Sequence, residues 1–219
     1  MSNLLLNEGY LDNTDLFYGA QDEKIFTKNK RYIDLSMCAG SILLGHNHKV
    51  FKKSIAKFIS KKISNIAAPN INAKIFAKNI KKVVKNSEKI IFCNSGTEAV
   101  IKSLRLARAV NNKKKIALVT GGWHGSVDQL LYKTNKNLKP INLSSGLPKE
   151  TYKNLILIPY NDFKKSEAIL KKNKNKISCL IIEPIQACLP YENVAKYLKD
   201  ANLDYLWKET KGKGSLSLS

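Results

Sequence analysis

The hexapeptide Asn94-Ser95-Gly96-Thr97-Glu98-Ala99 places two hydroxyl side chains and a glycine between an apolar run and a helical pattern. The apolar run, residues 89–93, predicts a short buried strand, and residues 97–110 predict a helix. A glycine-containing turn from a strand into a helix directs several free backbone N–H groups to one place, at the positive end of the helix dipole. Such a turn is suited to binding phosphate, so one interpretation is that it binds a phosphorylated cofactor. The alternative is that the hydroxyl groups only cap the helix.

Two more polar segments follow predicted strands. Thr120-Gly121-Gly122-Trp123-His124-Gly125 follows the apolar run 115–119, and Glu183-Pro184-Ile185-Gln186 follows the run 177–182. The carboxyl ends of strands in an open parallel sheet share one edge, and ligands bind there. We therefore expect both segments to lie beside residues 95–97.

These segments need a scaffold of alternating strands and helices. Near-continuous aliphatic strands that alternate with helices predict an α/β fold, with a mostly parallel sheet flanked by helices. The predicted strands are 31–36, 89–93, 115–119, 155–158 and 177–182. The predicted helices are 49–63, 72–85, 97–110, 162–172 and 192–200. The first thirty residues are expected to be irregular, and residues 133–153 are expected to form a long surface loop.

The formal net charge of +21 raises the question of nucleic-acid binding. Of the 38 basic residues only three are arginines, namely Arg31, Arg105 and Arg108. Nucleic-acid surfaces usually rely on arginine and interleave aromatic residues with the basic ones. A nucleic-acid-binding function is therefore the less favoured alternative.

The remaining composition favours a cytoplasmic protein. No apolar run reaches the length of about 18 residues that a membrane span needs. The segment Met1–Glu8 lacks the basic residues that precede the apolar part of a secretory signal. The four cysteines show no CxxC spacing, which fits reduced thiols. His46 and His48 form an HxH pair without a suitably spaced third ligand, so we predict a turn there and no metal site.

Four motifs follow one another along the chain: Gly45-His46-Asn47-His48, Asn94–Ala99, Gly122-Trp123-His124-Gly125 and Glu183-Pro184. In order and separation they resemble the class III pyridoxal-phosphate-dependent aminotransferases, in the glutamate-1-semialdehyde aminomutase-like branch. The resemblance covers residues 15–200. It implies pyridoxal 5′-phosphate as cofactor, an amino acid or amino aldehyde as substrate, and a homodimer.

For the fold, the resemblance implies an incomplete large domain of the fold type I pyridoxal-phosphate-dependent transferases. This domain would span residues 49–200. An N-terminal segment, 1–48, would precede it, and an atypical tail, 201–219, would follow it.

The resemblance also assigns roles to the motif residues. Ser95, Gly96 and Thr97 would form the cup for the cofactor phosphate. Trp123 would stack on the pyridine ring, and its alternative is ordinary core packing. Glu183 would line the cofactor pocket or be a carboxylate held at a strand end, and His124 would support the site.

Two further groups that pyridoxal chemistry needs are not found. In the family, a carboxylate at the ring nitrogen and a Schiff-base lysine both follow the Glu-Pro motif. Residues 200–219 contain neither an aliphatic strand ending in Asp-Glu nor a lysine in a family-like setting. We therefore expect a C-terminally truncated aminotransferase or aminomutase that is inactive alone. The alternative is a non-catalytic partner of an intact aminotransferase subunit.

Residues 186–190 also differ from the Gly-Asn continuation common in the aminomutase branch, which disfavours glutamate-1-semialdehyde as the substrate.

Overall fold

The computed structural model describes residues 16–61, 68–84, 87–135, 137, 139–183 and 186. They form two compact units, which divide between Ile75 and Phe76. Within the described ranges, no helix combines the length and the apolar character needed to cross a membrane.

The first unit contains a three-stranded antiparallel sheet. Its strands, in both chain and sheet order, are β1 (Phe17–Gln21), β2 (Lys24–Thr27) and β3 (Arg31–Ile33). A tight turn at Asp22, whose φ is 51°, joins the first two strands. The expectation of an irregular start is therefore wrong for 17–27, because polar residues in this hairpin obscure the apolar alternation. The strand predicted at 31–36 is confirmed for its first half.

Two amphipathic helices follow, α1 (Lys49–Ser60) and α2 (Ile71–Val83). They confirm the helices predicted at 49–63 and 72–85: α1 begins at the predicted residue, and the other three ends differ by one to three residues. All residues within these two helices are described, and none is buried. The apolar spacing thus forms a helix face without requiring that the face be covered.

Asp34 organises the turn that follows β3. Its Oδ1 accepts hydrogen bonds from two backbone N–H groups of the turn, at 2.9 and 3.0 Å, and its Oδ2 lies 2.7 Å from Nε2 of His46. The hydrogen bond with His46, together with those from the backbone, holds the pKa of Asp34 at about 2. His46 is thus a structural partner of Asp34, and His48 directly precedes α1. Among the described residues, no group of three or more His, Cys, Asp or Glu side chains could hold a metal ion.

The second unit is built on a parallel sheet. It contains the part of α2 from Phe76 onwards, followed by α3 (Gly96–Asn111) and α4 (Phe163–Asn173). Its strands are β4 (Lys115–Val119), β5 (Tyr132–Thr134), β6 (Pro140–Asn142), β7 (Leu155–Ile158) and β8 (Ile177–Ile181). The parallel sheet has the order β7-β4-β8, and β5 pairs with β6 as an antiparallel hairpin.

The central strand β4 divides the core into two clusters. Ile116 and Leu118 belong to a cluster with Val100 and Leu104 of α3. The alternate residues of β4 belong to the other cluster, which contains Leu170 of α4 and Ile158 of β7. One helix therefore covers each face of the sheet, which confirms the predicted α/β class with a helix-flanked parallel sheet.

Two sequence-based predictions for this unit are wrong. Residues 89–93 are not a strand, because none of the described strands pairs with them; Ile91 is 69% exposed and the Phe92 ring stacks on Phe76 with centroids 5.4 Å apart. The region 133–153 is not a continuous loop, because the β5–β6 hairpin and a short 3₁₀ helix at its end interrupt it. The helix predicted at 192–200 and the tail 201–219 lie outside the described residues.

Leu118 and Leu106 form a matched pair for testing this core. Leu118 on β4 is 1% exposed, whereas Leu106 on α3 is 48% exposed. We expect Leu118→Ala to lower the free energy of unfolding by about 3 kcal/mol, because it removes buried methyl groups and leaves a cavity. Leu106→Ala should cost less than about 1 kcal/mol. Urea unfolding followed by circular dichroism measures both, and equal losses would contradict the assigned core.

Candidate functional site

The start of α3 is capped by its own side chains. Ser95 Oγ accepts a hydrogen bond from the Glu98 N–H at 3.2 Å, and the Glu98 carboxylate accepts one from the Asn94 N–H at 2.9 Å. The ammonium group of Lys102 lies 2.5 Å from Glu98. The hydrogen bond from Lys102, followed by that from Asn94, lowers the pKa of Glu98, so this carboxylate is ionised and paired. Ser95 Oγ therefore caps α3 as an acceptor, which leaves its hydroxyl proton to donate.

Capping does not use all the donors of this turn. The first hydrogen bond of the helical ladder runs from the Ala99 N–H to the Ser95 carbonyl at 3.1 Å. The N–H groups of Gly96 and Thr97 precede it, so the ladder leaves them without helical acceptors. Together with the helix dipole, these groups can bind an anion.

Thr97 connects this turn to the segment that follows β4. Its Oγ1 accepts a hydrogen bond from the Ser126 N–H at 3.1 Å. Gly125 has a φ of +70°, and a Cβ there would lie 2.3 Å from Thr97 Oγ1, so only glycine permits this approach. The Thr97 hydroxyl uses its oxygen as an acceptor and keeps its proton available to donate.

Glu183 holds the middle of the same segment. One oxygen of its carboxylate, at the end of β8, accepts a hydrogen bond from the Trp123 N–H at 2.9 Å. The Trp123 side chain is 65% exposed, so it is not the core residue that the alternative interpretation required. The indole therefore presents an uncovered flat apolar surface at this edge.

His124, the next residue along the chain, is buried. It is only 9% exposed, and its Nε2 has no hydrogen-bond partner. Burial lowers the pKa of His124, and the negative charge of Glu183 opposes the shift in part. The imidazole is therefore neutral at pH 7.

The structure thus brings the six predicted site residues to one edge. Residues 121–126, here called the glycine loop, contact Thr97 on one side and Glu183 on the other. Two surface depressions elsewhere, of about 530 and 300 Å³, are lined by residues 26–31 and by a set around Arg108. Neither is lined by these six residues, which lie along a rim at the carboxyl edge of the sheet.

Sequence reasoning missed two contributors to this edge. Ser126 contributes its backbone N–H, a group that almost every residue type has, so its side chain could not indicate this role. Asn161, just after β7, has a φ of 59° and a buried Oδ1 without a partner. The strand-end rule that selected Thr120 and Glu183 applies equally to the end of β7 and could have found Asn161.

The N–H groups that the helical ladder of α3 leaves without acceptors lie beside a glycine loop at the carboxyl edge of a parallel sheet, which is where α/β proteins commonly bind anions. The chain belongs to the aminotransferase class-III family, whose model matches residues 22–189.

Curated relatives and solved structures agree with this assignment. The chain is 39% identical over 163 residues to glutamate-1-semialdehyde 2,1-aminomutase of Wigglesworthia glossinidia brevipalpis, covering 72% of this chain and 37% of that one. It is 35% identical over 175 residues to the enzyme of that name from Methanocaldococcus jannaschii, covering 77% and 41%. A solved transaminase with PLP bound shares the fold, with a TM-score of 0.79 at 22% identity, over 94% of this chain and 48% of that one. The chain therefore spans about two fifths of the length of the curated relatives it matches.

Because His124 is buried in its neutral form, the free energy of unfolding should depend on pH. Its pKa is lower in the folded chain than in the unfolded chain, so the unfolded state binds more protons and the stability contribution is complete above a pH of about 6.5. We expect the free energy of unfolding to fall as the pH drops below this value, and to fall less steeply in His124→Asn. Urea unfolding from pH 8 to pH 5 measures the two slopes. Identical slopes would show that His124 is not buried in its neutral form.

Proposed function

We propose that this chain carries the phosphate-binding and ring-binding part of a pyridoxal 5′-phosphate site in a class III aminotransferase or aminomutase. The observation that carries the proposal is the glycine loop, held between Thr97 and Glu183. This arrangement places Trp123 on a loop whose far end contacts the first turn of α3. The aminomutase relatives and the transaminase solved with PLP bound support the choice of cofactor.

The donors at the start of α3 fit a phosphate group. The N–H groups of Gly96 and Thr97, and the hydroxyl protons of Ser95 and Thr97, can all donate to phosphate oxygens. The carboxylate of Glu98 lies in the same turn, and its charge is offset by Lys102. This phosphate site therefore offers several hydrogen-bond donors with little net electrostatic repulsion of the phosphate.

The remaining residues fit an aromatic ring. Trp123 offers a flat apolar face at the rim, and the bond from its N–H to Glu183 fixes the backbone that carries the ring. His124, buried and neutral, adds no positive charge to the loop. When bound, pyridoxal phosphate supplies an electron sink for negative charge that develops on the substrate.

We propose an amino acid or an amino aldehyde as the substrate, because the relatives at 39% and 35% identity are glutamate-1-semialdehyde aminomutases. The Schiff-base lysine and the ring-nitrogen carboxylate are family groups that follow the Glu-Pro motif, and no residue of this chain is assigned to either role. We therefore propose that residues 1–219 bind the cofactor without catalysis when alone. The intact protein would act as a homodimer in the cytoplasm.

Pyridoxine 5′-phosphate is a suitable ligand for testing this site, because it carries the phosphate and the ring but no aldehyde that could react with surface lysines. We expect saturable binding at one site, with quenching of Trp123 fluorescence. Thr97→Val should weaken binding roughly 10-fold, since it removes one hydroxyl donor and one loop anchor. Thr134→Val, on β5, is the matched control and should leave the affinity unchanged. No saturable binding by the wild-type chain would contradict the proposal.

A separate experiment tests the absence of a cofactor-linked lysine. We expect borohydride reduction in the presence of pyridoxal phosphate to label many lysines partially, as peptide mass mapping would show. A single lysine labelled stoichiometrically would overturn the proposal that this chain is incomplete as a catalyst.

A further inference from the structure

Gln186 is buried against the start of the glycine loop. It is 2% exposed, and its Nε2 donates a hydrogen bond to the Thr120 carbonyl at 3.0 Å. The Thr120 N–H donates to the Ile158 carbonyl of β7 at 2.9 Å. The residue that leads from β4 into the glycine loop is therefore held on both of its backbone groups.

The same amide fits closely against Gly121. The φ of Gly121 is +97°, a conformation that favours glycine. A Cβ at this position would lie 2.7 Å from Oε1 of Gln186 and 3.3 Å from its Cδ. The turn at Gly121 and the buried amide thus occupy adjoining space, which leaves no room for a side chain at position 121.

Gln186 and Glu183 belong to the same segment after β8, and they hold two successive parts of the glycine loop. Glu183 binds the Trp123 N–H, three residues beyond the Thr120 carbonyl that Gln186 binds. Thr97 binds the far end of the loop at Ser126. Without Gln186, the loop would keep its middle and end contacts and the Thr120 N–H bond to Ile158, but it would lose the bond to the Thr120 carbonyl where the chain leaves the sheet.

We infer that Gln186 is a positioning residue for the cofactor rim, which fixes the glycine loop through the Thr120 carbonyl and thereby orients the Trp123 ring. Its effect on cofactor affinity rests on the proposed function, whereas its effect on the loop does not.

The test compares two amide-to-carboxylate changes in a Trp207→Phe background, where Trp123 is the only tryptophan. Gln186→Glu keeps the side-chain shape but, when ionised, cannot donate to the Thr120 carbonyl. Asn111→Asp is the matched control, because Asn111 Nδ2 donates to the Ser178 carbonyl at 2.7 Å, away from the loop. Time-resolved fluorescence anisotropy measures the local motion of Trp123, and titration with pyridoxine 5′-phosphate measures affinity.

At pH 8 we expect Gln186→Glu to increase the fast motion of Trp123 and to weaken pyridoxine 5′-phosphate binding roughly 10-fold, the loss typical of one buried hydrogen bond. At pH 5 a protonated glutamate regains an O–H donor, so the motion should return towards that of the wild type measured at the same pH. Asn111→Asp should leave both readouts unchanged at pH 8. Gln186→Leu, which removes the donor without adding charge, should resemble ionised Gln186→Glu and replaces it if that variant does not fold.

The inference is overturned if Trp123 moves as in the wild type in both Gln186 variants, or if Asn111→Asp loosens Trp123 equally. If the wild-type chain does not bind pyridoxine 5′-phosphate while Gln186→Glu still loosens Trp123, the proposed function fails and the positioning role of Gln186 stands.

Discussion

The candidate site depends on backbone N–H groups of one loop being bound by side chains from two different elements. The Trp123 N–H is bound by Glu183 at the end of β8, and the Ser126 N–H is bound by Thr97 in the first turn of α3. A loop at the surface would otherwise leave such groups to water. Because both bonds exist together, the positive end of α3, an exposed indole and a carboxylate lie along a single edge.

The scaffold explains why these side chains can meet. β4 is buried along almost its whole length, with α3 on one face and α4 on the other, so the loop leaves the sheet from a fixed position. β8 lies beside β4 in parallel, which brings the carboxyl end that carries Glu183 next to the beginning of the loop. Glycine at 121 and 125 then permits close approach of Gln186 and Thr97. The close packing is therefore concentrated where the family motifs occur, while α1 and α2 have no buried residues.

The strands that could be predicted from the sequence, and those that could not, differ for physical reasons. Strands β4 and β7 begin and end where their aliphatic runs do, because strands buried on both faces have continuous apolar patterns. The run 89–93 has the same pattern, but a strand also requires a hydrogen-bonded neighbour, which a local pattern does not reveal. In the β1–β2 hairpin each strand has a hydrogen-bonded neighbour, but the sequence shows no clear apolar alternation.

At the site, residue types and strand ends indicated Thr97, Trp123 and Glu183. The hydrogen bonds that join these segments end on backbone groups, so they are visible only in the folded structure. The catalytic lysine and ring carboxylate of the family were not found in the sequence, and the residues after 186 lie outside the described part of the chain.

Amide hydrogen exchange, with and without pyridoxine 5′-phosphate, shows whether the glycine loop is held by these side chains and whether the start of α3 binds the ligand. We expect the amides of Trp123 and Ser126 to exchange slowly in the free chain, since Glu183 and Thr97 bind them. The amides of Gly96 and Thr97 should exchange rapidly in the free chain and become protected when the ligand is added. Rapid exchange at Trp123 and Ser126, or ligand protection confined to another surface such as residues 26–31, would contradict these expectations.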